Sequence, residues 1–402
     1  MAEPASDRSG EPPSICAKCK SNPATLTIRA KPTCSPCFQT STLTKVVKRL
    51  GSLRKSLLKP TEKRTCRYLA ALSFGPSSST LIRLLHENLE YMRAKANANS
   101  PVAYDLTVLH VDTDLRSKAP GESSAAEDLL EKYRANFPGI EFRCVPLSDA
   151  LKLRSIDWNA LPSVVASGDP PERMRAIFDA LPSVTSRTDL LRLLVRHVLL
   201  AQAVENGCDA LFLGCTTTAL AELTLSEVAK GRGFSIPWQI NDGPFPLPKG
   251  LVSSAPDSES KGAGPPTIHI YYPLREILRA EIHTYLSLCD PPLTDLVHTE
   301  NTSGSANVVV SHKDLSIEEA MVQYFKSVEE SYPAIVANVV RTTAKLERAD
   351  VGEGAACSVC GMAVDESGDA RWKGEIGMDV NRDGEGGEAL PLCYGCERSI
   401  HG

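Results

Sequence analysis

Residues 68–85 read YLAALSFGPSSSTLIRLL. Tyr68–Leu72 is a short apolar run. It ends in a turn of small residues, Ser73-Phe-Gly-Pro-Ser-Ser-Ser79, and from Thr80 to about Met92 the residues Leu81, Leu84, Leu85 and Leu89 recur on one helical face. A strand feeding a Gly/Ser turn that opens a helix aims backbone N–H groups and hydroxyls at one point, which suits a phosphate. The turn lacks the Gly-Lys-Ser/Thr of a Walker loop. Ser and Gly before a helix are also ordinary caps, so by itself the turn is consistent with either role.

The same alternation continues outward. Leu106–Val111 and Glu141–Val145 read as buried strands, Asp189–Glu205 as a long helix closed by Asn206-Gly207, and Ala210–Leu213 as a fourth strand. That strand ends at Gly214-Cys-Thr-Thr-Thr218, before a helix from about Ala219 to Lys230. Alternating strands and helices predict an α/β fold with a mainly parallel sheet covered on both faces. Ligands on such sheets lie beyond the carboxyl ends of the strands, where the loops at Ser73 and Gly214 would both be. Residues 155–186 lack a clear period and predict an irregular insert with one short helix around Arg173–Asp179. Ile317–Leu346 reads as helical.

Four Cys-x-x-Cys pairs sit at the two ends: Cys16/Cys19 with Cys34/Cys37, and Cys357/Cys360 with Cys393/Cys396. Two such turns complete a four-thiolate tetrahedral site for zinc. A disulfide framework is the alternative, disfavoured because MAEPASDRSGEPPS has no apolar h-region and predicts a chain that is not exported. The spacing alone does not separate zinc from an iron–sulfur cluster. The other cysteines, Cys66, Cys144, Cys208, Cys215 and Cys289, read first as small buried apolar residues. Cys215 and Cys289 remain weak candidates for a sulfur-carrying thiol.

Net charge is −5, unevenly spread: residues 1–67 hold 14 Lys/Arg against four Asp/Glu, a balance of +10, so the remainder carries −15. Nine basic residues and one acid, Glu62, lie between Lys45 and Arg67. With apolar Leu43, Val46, Val47, Leu50, Leu53, Leu57 and Leu58 at near-helical spacing, the run predicts a basic amphipathic helix. Lys45, Lys48, Arg49, Arg54, Lys55, Lys59, Lys63 and Arg64 are the candidate RNA contacts, because such a block suits a phosphate backbone. A solvated helix face is the plainer reading of the same run. No apolar run approaches the ~20 residues that span a bilayer, so no membrane role is expected.

The expected organisation is a disordered tail at 1–14, an N-terminal cysteine module at 15–40, the basic helix at 41–66, an α/β core at 67–300 with a linker-like insert at 241–266, a helical segment at 301–348 and a C-terminal cysteine module at 349–402. His110 beside Asp112 and Asp114 reads as a strand-end histidine among surface acids. Tyr271-Tyr272 near Arg275 reads as a packed strand end. Arg187, Arg192 and Arg196 share one helix but do not all face one ligand.

Taken in order, the N-terminal double Cys-x-x-Cys, the basic helix and the strand with its Ser73–Ser79 turn resemble the PP-loop ATP pyrophosphatases that thiolate tRNA. Ser186-Arg-Thr-Asp-Leu-Leu-Arg192, Leu213-Gly-Cys-Thr-Thr-Thr-Ala-Leu-Ala-Glu222 and Tyr272-Pro-Leu-Arg-Glu-Ile277 extend the resemblance. It covers roughly residues 15–300 and includes the C-terminal cysteine pairs. It implies a PP-loop ATPase-like core in which Ser73, Gly75, Ser77 and Ser78 are the nucleotide-loop positions. The departures are specific. Active members have Ser-Gly-Gly-x-Asp-Ser, whereas Phe74 here stands for a glycine and Ser77 for the carboxylate. Their Gly-His-Asn-x-Asp-Asp is here Gly214-Cys-Thr-Thr-Thr-Ala219, and near Ser186 the catalytic cysteine pair is missing.

The resemblance therefore implies a degenerate, cytosolic sister of a catalytic chain, with ATP binding doubtful. As a heterodimer the two would replace the 2-oxygen of the wobble uridine in tRNAs for Lys, Glu and Gln with sulfur from a thiocarboxylated ubiquitin-related modifier. Two other readings stay open: an ATP-dependent tRNA sulfurtransferase active in its own right, using Cys215 as thiol, and a zinc-stabilised scaffold without an RNA role.

Overall fold

The computed structural model describes residues 14–97, 101–116, 123–162, 168–248, 250–251, 266–297, 315–348, 356–362 and 392–402. Residues 1–13 of the expected tail, 252–265 of the expected linker, the break at 298–306, the lead-in at 349–354 and most of the insert between the C-terminal cysteine pairs lie outside the described residues.

A two-stranded hairpin, β1 (Leu26–Ile28) and β2 (Lys31–Thr33), opens the chain and leads into helix α1 (Ser35–Leu57). Pro36 stands in the first turn of α1, where a missing N–H costs nothing. The core alternates β3 (Cys66–Ala71), α2 (Pro76–Lys95), β4 (Tyr104–Asp112), α3 (Ala125–Asn136) and β5 (Glu141–Pro146). It continues through α4 (Pro170–Asp179), α5 (Val184–Glu205), β6 (Ala210–Phe212), α6 (Thr217–Ala229), α7 (Ile236–Ile240), β7 (Gly243–Pro246), β8 (Thr267–Tyr271) and α8 (Arg279–Ser287). Helices α9 (Ile317–Ser331), α10 (Pro333–Thr343) and α11 (Tyr394–His401) follow.

The six-stranded sheet runs β5-β4-β3-β6-β8-β7, parallel throughout except for β7 against β8. The chain starts in the middle at β3, builds outward to β5, then returns to β6 on the other side of β3. This reversal puts the topological switch point, and with it the ligand crevice of such sheets, between the loops after β3 and β6.

Successive strand residues face opposite sides. Tyr68, Ala70, Val108 and Phe212 join α1, α2, α3 and α8 in one core, and Leu69, Leu109, Leu211 and Ile270 join α5, α6, α9, α10 and α11 in the other.

Two elements differ from the sequence reading. The expected single helix over Ile317–Leu346 is broken at Tyr332, whose φ of −141° leaves the helical region, and Pro333 starts α10. Proline has no N–H to continue the first helix and restricts the residue before it. Residues 243–246, inside the stretch expected to be a linker, form β7. Pro244 and Pro246 disguise it, and they are tolerated because β7 is the sheet edge.

Candidate functional site

At the switch point, Ser73–Ser79 forms the turn between β3 and α2. Phe74 holds φ +59°, a left-handed conformation that a glycine enters freely and a phenylalanine only under strain. Its ring is 4 % exposed and stacks on His110 with centroids 4.2 Å apart. Burial of that ring offsets the backbone strain.

The turn satisfies its own polar groups. Ser73 N–H donates to Ser78 Oγ (3.2 Å), the Ser73 and Ser78 hydroxyls share a bond at 3.1 Å, and Gly75 N–H donates to Ser73 Oγ (3.4 Å). Ser78 Oγ and Ser79 Oγ both donate to Gly75 O (3.1 and 2.9 Å), and Ser79 Oγ also pairs with Tyr133 Oη at 2.6 Å. Across the crevice, a Cβ on Gly214 would stand 3.0 Å from Ser78 Cα and 3.2 Å from Ser78 N, so the β6 loop lies tightly against the start of α2. Ser73, Gly75, Ser77 and Ser78 thus sit together where the sequence placed them. The Ser73 and Ser78 hydroxyls and the Ser73 and Gly75 N–H groups are bonded within the loop, and Ser77 brings no carboxylate for a magnesium ion.

The two cysteine candidates lie on opposite faces of the sheet. Burial pushes the Cys215 thiol up to about 11 although Arg196 and Arg192 pull the other way, and burial likewise lifts Cys289 to about 11. Cys289 Sγ donates to Tyr285 O at 3.4 Å. Both are thiols rather than thiolates at neutral pH, and their placement does not make a pair.

Each end set converges. The Sγ atoms of Cys16, Cys19, Cys34 and Cys37 all lie within 4.8 Å of one another, as do those of Cys357, Cys360, Cys393 and Cys396. Four sulfurs at ~2.3 Å around one tetrahedral ion stand ~3.8 Å apart. Cys19–Cys34 is 3.9 Å and Cys360–Cys393 is 3.8 Å. In a four-iron cluster each thiolate serves a different iron, which spreads the sulfurs further. Both donor sets therefore fit a single thiophilic ion.

Their surroundings differ. The N-terminal set is a knuckle on the surface, with Cys19 and Cys37 partly exposed. N–H groups of Cys19 and Cys34 lower the Cys16 thiol to about 6. The hairpin is tied to α8 by Arg29, which donates to Glu281 Oε1 and Oε2 at 2.8 and 2.7 Å.

The C-terminal set is buried and belongs to the core beside α5. His197 Nε2 meets Val359 O at 3.0 Å, and Arg232 Nη1 donates to Cys396 Sγ at 3.7 Å. Gly231, at φ +79°, faces the Tyr394 ring so closely that a Cβ would stand 2.2 Å from it.

Arg232 leads into a buried ion cluster that sequence reasoning missed. Asp189, Glu227 and Glu318 face Arg192, Lys230 and Arg232: three acids against three bases. Arg232 Nε donates to Glu227 at 2.9 Å, Lys230 Nζ to Asp189 at 2.7 Å, and Ser399 Oγ of α11 to Asp189 at 2.8 Å. Burial opposes ionisation of Asp189, but Arg232, Lys230 and Arg192 outweigh it and hold the carboxyl at about 2. The Ser186–Arg192 block is thus absorbed by structure. Arg192 faces inward, while Arg187 is exposed and donates to Phe178 O. Charged residues at 227, 230 and 232 look solvent-facing in sequence, and partners from α5, α9 and α11 enclose them.

The basic run divides. Arg49 pairs with Asp242 and, at 3.3 Å, with Glu276. Arg64 grips Asp209 at 2.7 and 2.8 Å, and Arg54 donates to Arg64 O at 3.1 Å. Lys45 is half-buried, 3.9 Å from Glu281. Lys48, Lys55, Lys59 and Lys63 are exposed and have no acid partner among the described residues. Four of the eight expected RNA contacts, Lys45, Arg49, Arg54 and Arg64, are therefore engaged in holding α1 and its following loop to the core. No helix among the described residues is long and apolar enough to cross a membrane.

Comparison with known proteins agrees with this architecture. The sequence profile described as cytoplasmic tRNA 2-thiolation protein 2 matches residues 316–398, the stretch containing α9, α10 and most of the C-terminal cysteine module. The curated protein of that name from Phaeosphaeria nodorum is 37% identical over 400 residues, covering 96% of this chain and 94% of its own length. That from Sclerotinia sclerotiorum is 38% identical over 337 residues, with 82% and 81% covered. Among solved structures, the U34-tRNA thiolase NcsA from Methanococcus maripaludis with its [4Fe-4S] cluster superposes with a TM-score of 0.53 at 15% identity, over 90% of this chain and 97% of that one. This last likeness establishes the PP-loop thiolase fold, and the full-length similarity to the curated relatives goes further: the chain belongs to the cytoplasmic tRNA 2-thiolation protein 2 family.

Proposed function

We propose that this chain is the tRNA-binding, non-catalytic subunit of the cytosolic complex that 2-thiolates the wobble uridine of tRNAs for Lys, Glu and Gln. A catalytic sister chain would adenylate the uridine with ATP and place sulfur, delivered by a thiocarboxylated ubiquitin-related modifier, on the activated carbon. This chain would hold tRNA and stabilise its sister. Family membership and the relatives' name support the role in tRNA thiolation.

The observation that carries the non-catalytic part is the turn at 73–79. A thiolase fold is retained around a loop whose glycine is a buried Phe74, whose carboxylate is Ser77 and whose Ser73 and Ser78 hydroxyls are bonded internally. The two four-cysteine sets would each hold one structural zinc through Cys16, Cys19, Cys34 and Cys37 and through Cys357, Cys360, Cys393 and Cys396, linking folding to metal uptake.

The test is reconstitution of thiolation from separately purified subunits. The isolated chain should neither hydrolyse ATP nor thiolate tRNA. Ser78→Ala, which removes three internal hydrogen bonds of about 1 kcal/mol each, should leave turnover of the assembled complex at the wild-type rate. A collapse of turnover with normal assembly would overturn the reading.

A further inference from the structure

Helix α1 covers only part of its sheet face. Its Val46, Leu50 and Leu53 are buried in the same core as Tyr68, Ala70 and Phe212. Beyond Tyr271 it leaves open a trough of about 1020 Å³ between itself and the β7–β8 edge. The trough follows α1 from Cys37 to Ser56, a length of about 28 Å at ~1.5 Å per residue. That is too long for a mononucleotide and calls for a polymeric occupant.

The walls narrow the choice. Thr40, Thr44, Lys48, Ser52 and Ser56 recur every fourth residue along the α1 side, so a ridge of hydroxyls and one ammonium runs through a lining that also includes Pro36, Leu53, Pro244 and Tyr271. A β-strand is refused on the other wall. Pro244 and Pro246 of β7 offer no N–H, and Arg348 already takes the carbonyls of Pro244 (2.6 Å) and Asn241 (2.9 Å).

The cations on the lining are Lys18, Lys45, Lys48 and Arg49, and its acids are Asp242 and Glu276, both paired with Arg49. Lys18 and Lys48 have no acid partner among the described residues. The floor aromatic, Tyr271, is capped by the Arg49 guanidinium 5.1 Å above its ring and donates its hydroxyl to Arg49 O, so it offers no open face to a base.

We propose that this trough, rather than the basic run as a whole, seats one sugar–phosphate strand of RNA, with Lys18 and Lys48 as its phosphate contacts. The inference rests on the tRNA-binding reading above and locates it. Phosphate contacts without an open stacking face position RNA but do not read its sequence. Lys18 lies between Cys16 and Cys19, so one wall of the site exists only while the N-terminal cysteine module is folded and docked through Arg29 and Glu281.

The experiment is a salt titration of tRNA binding to the full chain by fluorescence anisotropy. Four proteins are compared: wild type, Lys18→Glu/Lys48→Glu, the control Lys55→Glu/Lys59→Glu on exposed positions outside the trough, and Ser52→Trp, which fills it without changing charge. The trough pair should lose more than tenfold in affinity near physiological salt. Its log–log slope should fall by about 1.4–1.8, the value for two lost phosphate contacts. Ser52→Trp should weaken binding severalfold, and the control pair should lose less than either. Competition by a short single-stranded RNA and by a duplex of equal length distinguishes a loop strand from one edge of a stem.

Wild-type affinity in Ser52→Trp, or equal losses in the two charge-reversed pairs, would overturn the trough while leaving tRNA binding intact. Absence of salt-sensitive binding by the wild type would overturn the tRNA reading itself. Unchanged circular dichroism of the variants, whose substituted side chains are all exposed, keeps misfolding out of the comparison.

Discussion

Replacing Arg232 with methionine tests whether the buried ion cluster fastens the C-terminal cysteine module to the core. The side chain is fully buried and touches Asp189, Glu227 and Cys396 Sγ. Its removal leaves three carboxylates facing two cations in a dry site. Breaking a buried pair from one side costs ~3–5 kcal/mol, because the partner charge stays behind uncompensated. An unfolding entropy of ~2.1 cal/mol/K per residue over a chain of this length is ~0.84 kcal/mol/K, so the loss corresponds to a Tm lower by about 4–6 °C.

Adding Asp189→Asn restores charge balance, and the double variant should recover at least ~1 kcal/mol over the sum of the singles. Acid sensitivity should change with it. The folded Asp189 carboxyl titrates at about 2, below its unfolded value of ~3.9, so its contribution is complete above about pH 5 and is lost as pH falls through 4 toward 2. Asp189→Asn should flatten stability over that window. Differential scanning calorimetry across pH, with metal content measured on the same samples, provides the readout. A Tm within 1 °C of wild type for Arg232→Met, with metal retained, would refute the reasoning, because it would mean the remaining charges re-pair without loss.

The two metal sets should respond differently to ligand loss. Cys34→Ser should empty the N-terminal site and loosen the hairpin and α1 while the main thermal transition stays within a few degrees. Cys393→Ser should lower that transition and expose apolar surface, because its set lies inside the core. Metal analysis beside calorimetry should find about two ions per wild-type chain and one in Cys34→Ser. Gly231→Ala should cost about 1–3 kcal/mol, since its φ of +79° is unfavourable for alanine and the new methyl meets the Tyr394 ring. Displacement of α11 should appear as faster loss of the C-terminal metal to a chelator, and unchanged chelation kinetics would count against that packing.

Much of this protein was legible before any coordinates. The short apolar runs at Tyr68, Leu106, Glu141 and Ala210 and the helices between them specify a parallel sheet, because strands covered on both faces are apolar on both sides. The cysteine spacings identify both ligand sets, since a Cys-x-x-Cys turn is a local geometry that needs a second turn to complete it. The substitutions at Phe74 and Ser77 are visible in the sequence against the family's loop.

What only the tertiary structure decided are relations between distant segments. Burial of the Asp189–Arg232 cluster depends on α11 arriving some 200 residues later at Ser399, so no local window could separate those charges from a solvated face. The division of the basic run has the same origin: Arg49 and Arg64 are committed by Asp242 and Asp209, acids from the far side of the sequence. Whether a lysine is free for phosphate depends on which carboxylate the fold brings within about 4 Å, and that distance is set by packing, not by sequence order.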